Sequence, residues 1–279
     1  MKVSTIVIVF TLILLCVFVA GPYTVSAHDD PHAEIEELSL QIQQSPDNTG
    51  LYLRRGELHR FSSQPDNALA DFLHVLKLEP EHDMVYFHLG RLRFETGQYQ
   101  SAEAALDVFL FSHPGHVEAL IIRGRTLRKI FKPLDAVEDY ESAQALAPKP
   151  TPVMYLERAE ALVEAGDQYI DEAVSGLDEG MQKLGRLVVL QTYAIDLRVR
   201  QGNYNAALSR IHRVMKNMRR KERWLYKRGE VLELAGRTDK AHAAYQDALE
   251  ALESLPYRLR RIPASYELES LLRAILKGD

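Results

Sequence analysis

The sequence predicts an all-α solenoid, a stack of antiparallel helical hairpins, and three residue series predict it. Gly56, Gly90 and Gly124 stand 34 residues apart; Ala68, Ala102 and Ala136 keep that interval; so do Pro46, Pro80, Pro114 and Pro148. Three interleaved residue classes in one register mark repeated supersecondary units rather than a globule built around one pocket. Such a chain is expected to be a binding scaffold, and the register does not name its partner.

Residues 1–27 stand outside the register. Lys2 precedes an unbroken apolar run from Ile6 to Ala20, then Gly21-Pro22 and Val25-Ser26-Ala27. A basic start, an apolar core and small residues at the end match a secretory signal peptide cleaved after Ala27. An uncleaved membrane anchor competes, because the apolar run with its flanks approaches the ~20 residues a span requires. Either way the repeats are expected outside the cytoplasm, periplasmic or secreted. Leu15 before Cys16 is not the small residue a lipoprotein site wants.

Residues 28–48 read as a polar tail and an N-capping helix, Ala33 to Gln44, with Ile35, Leu38 and Ile42 on one face. About six repeats then fill 49–256. The clearest runs from Asp83 to His116. Val85, Leu89 and Leu92 give its first helix an apolar face, and Ala102, Ala105, Leu106 and Phe109 give the second one. Gly97 separates the halves where a turn wants no Cβ, and Pro114 follows a helix it cannot continue. Gly90 and Ala102 sit where two backbones must approach closely. Phe72, Leu106 and Tyr140, again 34 apart, fill the space between helices. One hairpin cannot bury its apolar face alone, so it stacks on the next.

The register loosens later. Ala159, Ala194 and Gly229 follow at intervals of 35; Ala173 arrives two residues late, and Gly202, Tyr204 and Ala207 one residue late. No proline closes the fifth hairpin, and the sixth recovers the pattern from Arg223. Residues 257–279 are expected to cap the stack through a helix from Ala264 to Lys277, with Tyr266, Leu268, Leu271, Leu272 and Ile275 on its apolar face.

The quoted residues of the first three units resemble the tetratricopeptide repeat family. Tyr52, Gly56, Ala68, Phe72 and Pro80 carry the match in the first unit. Tyr86, Leu89, Gly90, Gly97, Tyr99, Ala102 and Pro114 carry it in the second, and Leu120, Gly124, Ala136, Tyr140 and Pro148 in the third. The resemblance extends over roughly 31–277 and implies a right-handed superhelix with first helices on the concave side, where relatives bind peptides or short helices. The implied peptide groove has Leu53, Phe87, Ile121 and Leu156 as an apolar ladder, with Glu57, Arg91, Arg125 and Glu160 one helical turn on. A bound segment would set apolar side chains against Phe87 and Ile121 and carboxylates against Arg91 and Arg125. In the competing arrangement these arginines pair with Glu57 and Glu160 and Phe87 belongs partly to the core. Arg55, Arg123, Arg158 and Arg228 recur beside the small residue and are expected to lay their stems along the inter-helix seam.

Charge is uneven. The whole chain carries −5, but Ala27–Glu118 holds sixteen acidic and six basic residues, a net of −10. Arg186–Arg228 holds twelve basic residues against Asp196 and Glu222, a net of +10. Its densest stretch, Lys216, Arg219, Arg220, Lys221 and Arg223, is either a solvated face or a docking patch for an acidic protein or an anionic membrane. Nucleic acid fits the charge but conflicts with the export signal.

No HExxH, GxSxG or Walker-type loop occurs, and the only cysteine, Cys16, lies in the leader. The carboxylates fall at exposed helix positions, with no shared pocket for acid–base work. His28 and its neighbours form the one local histidine group, read as a flexible tail rather than a metal site. The expectation is a non-enzymatic, cofactor-free, metal-free scaffold for a protein or peptide segment. A membrane-tethered envelope assembly factor using the 186–228 face, or an accessory subunit of an enzyme complex, are the alternatives.

Overall fold

A computed structural model describes residues 31–216 and 218–278, so the expected leader and the cleavage point expected at Ala27 lie outside the described residues. The described residues contain fifteen α-helices and no strand. Contacts divide the chain at Asp71/Phe72, inside one helix, into two compact units.

The first unit holds α1 (Pro31–Gln44), α2 (Thr49–Phe61) and the start of α3 (Pro65–Leu78). As the cap pattern requires, α1 lays Leu38 and Ile42 onto α2. Asn48 caps α2 by accepting from the Gly50 amide at 3.1 Å, and the Tyr52 hydroxyl donates to the Pro46 carbonyl at 3.0 Å. The Pro46 step of the repeat is thereby tied to the first aromatic.

The second unit continues α3 and adds α4 (Asp83–Glu95), α5 (Tyr99–Ser112), α6 (Val117–Lys129), α7 (Pro133–Leu146), α8 (Pro152–Ala165), α9 (Ile170–Leu184), α10 (Val188–Arg200), α11 (Tyr204–Met215), α12 (Glu222–Leu234), α13 (Thr238–Glu253), α14 (Tyr257–Arg260) and α15 (Pro263–Ile275). From α4 to α13 each helix packs on the next, and α4 also meets α6, α6 meets α8, and α8 meets α10. That is the contact order of stacked hairpins, first helices against first helices.

The glycine series is explained by distance. A Cβ on Gly124 would sit 3.0 Å from the Tyr140 ring, and on Gly90 only 2.6 Å from Leu106 Cγ. The late arrival of Ala173 has a local cause. A single 3-10 turn, Asp167–Tyr169, absorbs the extra residues before α9. The contact is then reversed: the aromatic Tyr155 lies on the first helix and the glycine, Gly180, on the second, with a Cβ there 2.7 Å from the ring.

Between paired helices the turn needs a positive φ, and Gly97, Gly202 and Gly236 supply it. In the α6–α7 turn the same task falls to Phe131, at φ 61° and almost wholly exposed. At the C-terminus α15 packs on α13 through Leu268 and Leu272. Tyr266 and Leu271, expected on that face, are exposed instead, and the buried third position is Ser265.

Candidate functional site

The expected groove residues sit on first helices, and each unit positions its own. In the first unit Leu53 is half-buried, and Glu57 accepts from Arg60 one turn along α2 at 3.2 Å. The Arg60 guanidinium lies 4.2 Å from the Phe61 ring centre.

In the second unit Phe87 does not line a groove floor. It is 4% exposed, with Phe109 and His116 rings at 5.3 and 4.8 Å. The cause is the entry to the next repeat. His116 caps α6 by accepting from the Ala119 amide at 3.1 Å, and its ring closes over Phe87. Arg91 follows the ring, its guanidinium 5.0 Å from the Phe87 centre.

The arginines reach acids the sequence reading did not name. Arg91 bonds Glu118 at 3.0 Å, and Arg125 bonds Glu157 at 2.8 Å. Arg128 holds Glu160 at 2.9 Å and Glu164 at 2.6 Å. Each acid lies on the following first helix, so the pairs rivet α4 to α6 and α6 to α8. Farther on, Lys227 of α12 reaches Asp196 of α10 at 2.9 Å. The sequence does hold a trace of this ladder, since the acids follow their arginines by about one repeat, but the choice among Glu157, Glu160 and Glu164 depends on how consecutive hairpins rotate. Sequence reasoning missed Glu118, Glu157 and Glu164.

What stays accessible is a strip on α6 and α8. Ile121 and Leu156 are half-buried, Glu160 is 44% exposed, and the Arg125 side chain, at 39%, is more open than those of Arg91 or Arg128. Arg125 sits between apolar neighbours with one carboxylate bound and exposed N–H donors left for another.

Of the four expected seam arginines, Arg158 reaches Glu141 of the preceding second helix and Arg228 lies 3.9 Å from Asp247, while Arg55 and Arg123 each hold a buried acid through two bonds. Arg55 grips Asp71 with two bonds of 2.6 and 2.9 Å, and Arg123 grips Asp139 with two of the same lengths. Both pairs join a first helix to the second helix sixteen residues on. One repeat earlier than Arg123 and Asp139 stand Leu89 and Ala105, both buried, an apolar replacement of the pair. Burial, aided by the field of Glu230 and a hydrogen bond to it, pushes the Tyr226 hydroxyl up to about 12.

Of the basic patch, Lys216, Arg219, Lys221 and Arg223 are exposed. Arg220 is tied to Glu222, whose carboxylate is buried at the start of α12, with Nε at 2.7 Å. Among the described residues no group of three or more His, Cys, Asp or Glu side chains could hold a metal, and no helix is long and apolar enough to cross a membrane.

The sequence pattern of the tetratricopeptide repeat matches residues 53–117, 89–149 and 194–256. Among solved structures, a tetratricopeptide repeat protein from Parabacteroides merdae is 19% identical, covering 88% of this chain and 93% of its own, at a TM-score of 0.54. The C-terminal part of a repeat-containing protein from Cytophaga hutchinsonii is 12% identical over 82% and 92%, at 0.63. MamA from Desulfovibrio magneticus is 20% identical over 60% and 93%, at 0.52. No curated protein matches the sequence. At these identities the structures speak for the fold alone, while the matched pattern covers more than half of the sequence: the chain belongs to the tetratricopeptide repeat family.

Proposed function

We propose that this protein is an exported, non-catalytic scaffold that holds a partner's peptide segment on its first-helix face, at α6 and α8. The repeat family supports protein binding in general. The observation that carries the finer proposal is Arg125, the most open of the three arginines on that face, between half-buried Ile121 and Leu156. A partner carboxylate would share or exchange Arg125 with Glu157 while an aliphatic side chain covers Ile121. Arg91 is now a structural residue, committed to Glu118 and to the Phe87 ring. Export rests on the sequence of residues 1–27, and the absence of catalysis on the missing motifs of the whole sequence.

Capture of the partner from an extract of the native host tests the site. Tagged wild-type protein should retain a partner that Arg125→Ala and Ile121→Glu lose. Retention by both variants, with their helix content intact, overturns the proposal. For export, the mature protein recovered from the host should begin at His28; an intact leader on cytoplasmic protein overturns that part.

A further inference from the structure

The weakest stretch of the repeat register opens a second site. α9 ends at Leu184, α10 begins at Val188, and α11 stops at Met215, the shortest second helix of a complete hairpin in its unit. Other second helices run two to four residues longer, through Ser112, Leu146 or Glu253, before a short connection. Here no proline closes the hairpin, and the missing length leaves a cleft of about 510 Å³. It is lined by Asp178 of α9, Gln191 of α10 and Arg210 of α11, with Arg186, Arg213 and Lys216 among its cations.

The cleft's charge is one-sided: four cations face one carboxylate. Arg210 is buried and spends its charge within the fold, holding Asp178 through two bonds of 2.7 and 2.8 Å. Arg186, Arg213 and Lys216 are exposed and unpaired among the described residues. Between them lie apolar walls, Val188 at 53% exposure and the half-buried Val214 and Met218. Unpaired cations around exposed aliphatic surface suit a ligand carrying both carboxylates and an aliphatic group.

We infer that this cleft binds an acidic peptide segment, with an aliphatic side chain against Val188 and Val214 and its carboxylates on Arg186, Arg213 and Lys216. An anionic membrane would satisfy the charges, but a bilayer meets a protruding surface more readily than a recess. The inference stands on the cleft alone, whether or not a partner also docks on α6 and α8.

The probe is a short fluorescein-labelled peptide of alternating glutamate and leucine, read by fluorescence anisotropy against the full mature chain. Saturable one-to-one binding is expected, weakening with salt. The double variant Arg213→Glu and Lys216→Glu should weaken it about tenfold or more, the scale of losing two charged contacts. Val188→Asp, which leaves all three cations in place, should weaken it as well. An all-glutamate peptide of equal charge should bind at least about tenfold less tightly, the worth of ~1.4 kcal/mol. Equal binding of the two peptides, or binding untouched by both variants, overturns the assignment. So does protein that co-sediments with phosphatidylglycerol vesicles and is not released by the glutamate–leucine peptide. Circular dichroism melts confirm that the variants are folded.

Discussion

Removing the Asp139 carboxylate should damage the fold more than removing its whole ion pair. Asp139 is 4% exposed and receives two bonds from Arg123. Breaking a buried pair costs about 3–5 kcal/mol because a charge is left without its partner. Arg123 retains some solvent and a second acid, Asp107 at 2.8 Å, so Asp139→Ala belongs at the low end, about 3 kcal/mol. The chain already contains the alternative, for Leu89 and Ala105 occupy the same two positions one repeat earlier. Arg123→Leu combined with Asp139→Ala should therefore recover to within about 1 kcal/mol of wild type, since well-packed apolar replacements of buried pairs are often neutral. Urea unfolding followed by circular dichroism measures the loss, and hydrogen exchange in α6 and α7 locates it, because a repeat array need not unfold in one step. A double variant as unstable as Asp139→Ala alone would refute the idea that the seam accepts either chemistry.

Three further outcomes follow from single positions. Gly229→Ala should destabilise by about 1–2 kcal/mol despite alanine's better helix propensity: its Cβ would lie 2.3 Å from the Tyr245 ring, which Glu233 holds by the hydroxyl at 2.7 Å. A neutral result in a urea melt would mean that the ring moves aside. Phe131→Gly should stabilise by roughly 1 kcal/mol, because the exposed ring gains nothing there and its left-handed backbone is strained; a loss would show that the ring packs in solution. Tyr226 should titrate at about 12 in a difference absorbance titration against Tyr226→Phe. Its folded pKa exceeds the ordinary tyrosine value of about 10, so its contribution to stability is whole below pH 10 and is lost as pH rises towards 12. A difference titration centred at 10 would contradict this.

The repeat register was legible in the sequence because sterics leave few choices. Where a Cβ would come within about 3 Å of Tyr140 or Leu106, glycine is the residue that avoids the clash, and the residue itself records the contact. Turns were legible for the same reason at Gly97, but not at Phe131, where a side chain tolerates the strain that glycine avoids. The binding face was less legible. Phe87 occupies the register place of Leu53, Ile121 and Leu156, yet only Phe87 is buried, because His116 from the next repeat closes over it. Ion partners along the first helices were hidden because long side chains choose among several acids by the twist between hairpins. Expecting Tyr266 and Leu271 in the C-terminal seam failed at a similar point. The spacing gave the helix, but α15 turns Ser265, Leu268 and Leu272 towards its neighbours.

Hydrogen exchange on the native complex, compared with the free chain, tests most directly whether the first-helix face binds the partner. The account predicts slowed exchange in α6 around Ile121–Arg128 and in α8 around Leu156–Glu160, with α5 and α7 unchanged. Protection confined to the second helices, with α6 and α8 exchanging as in the free protein, would contradict it.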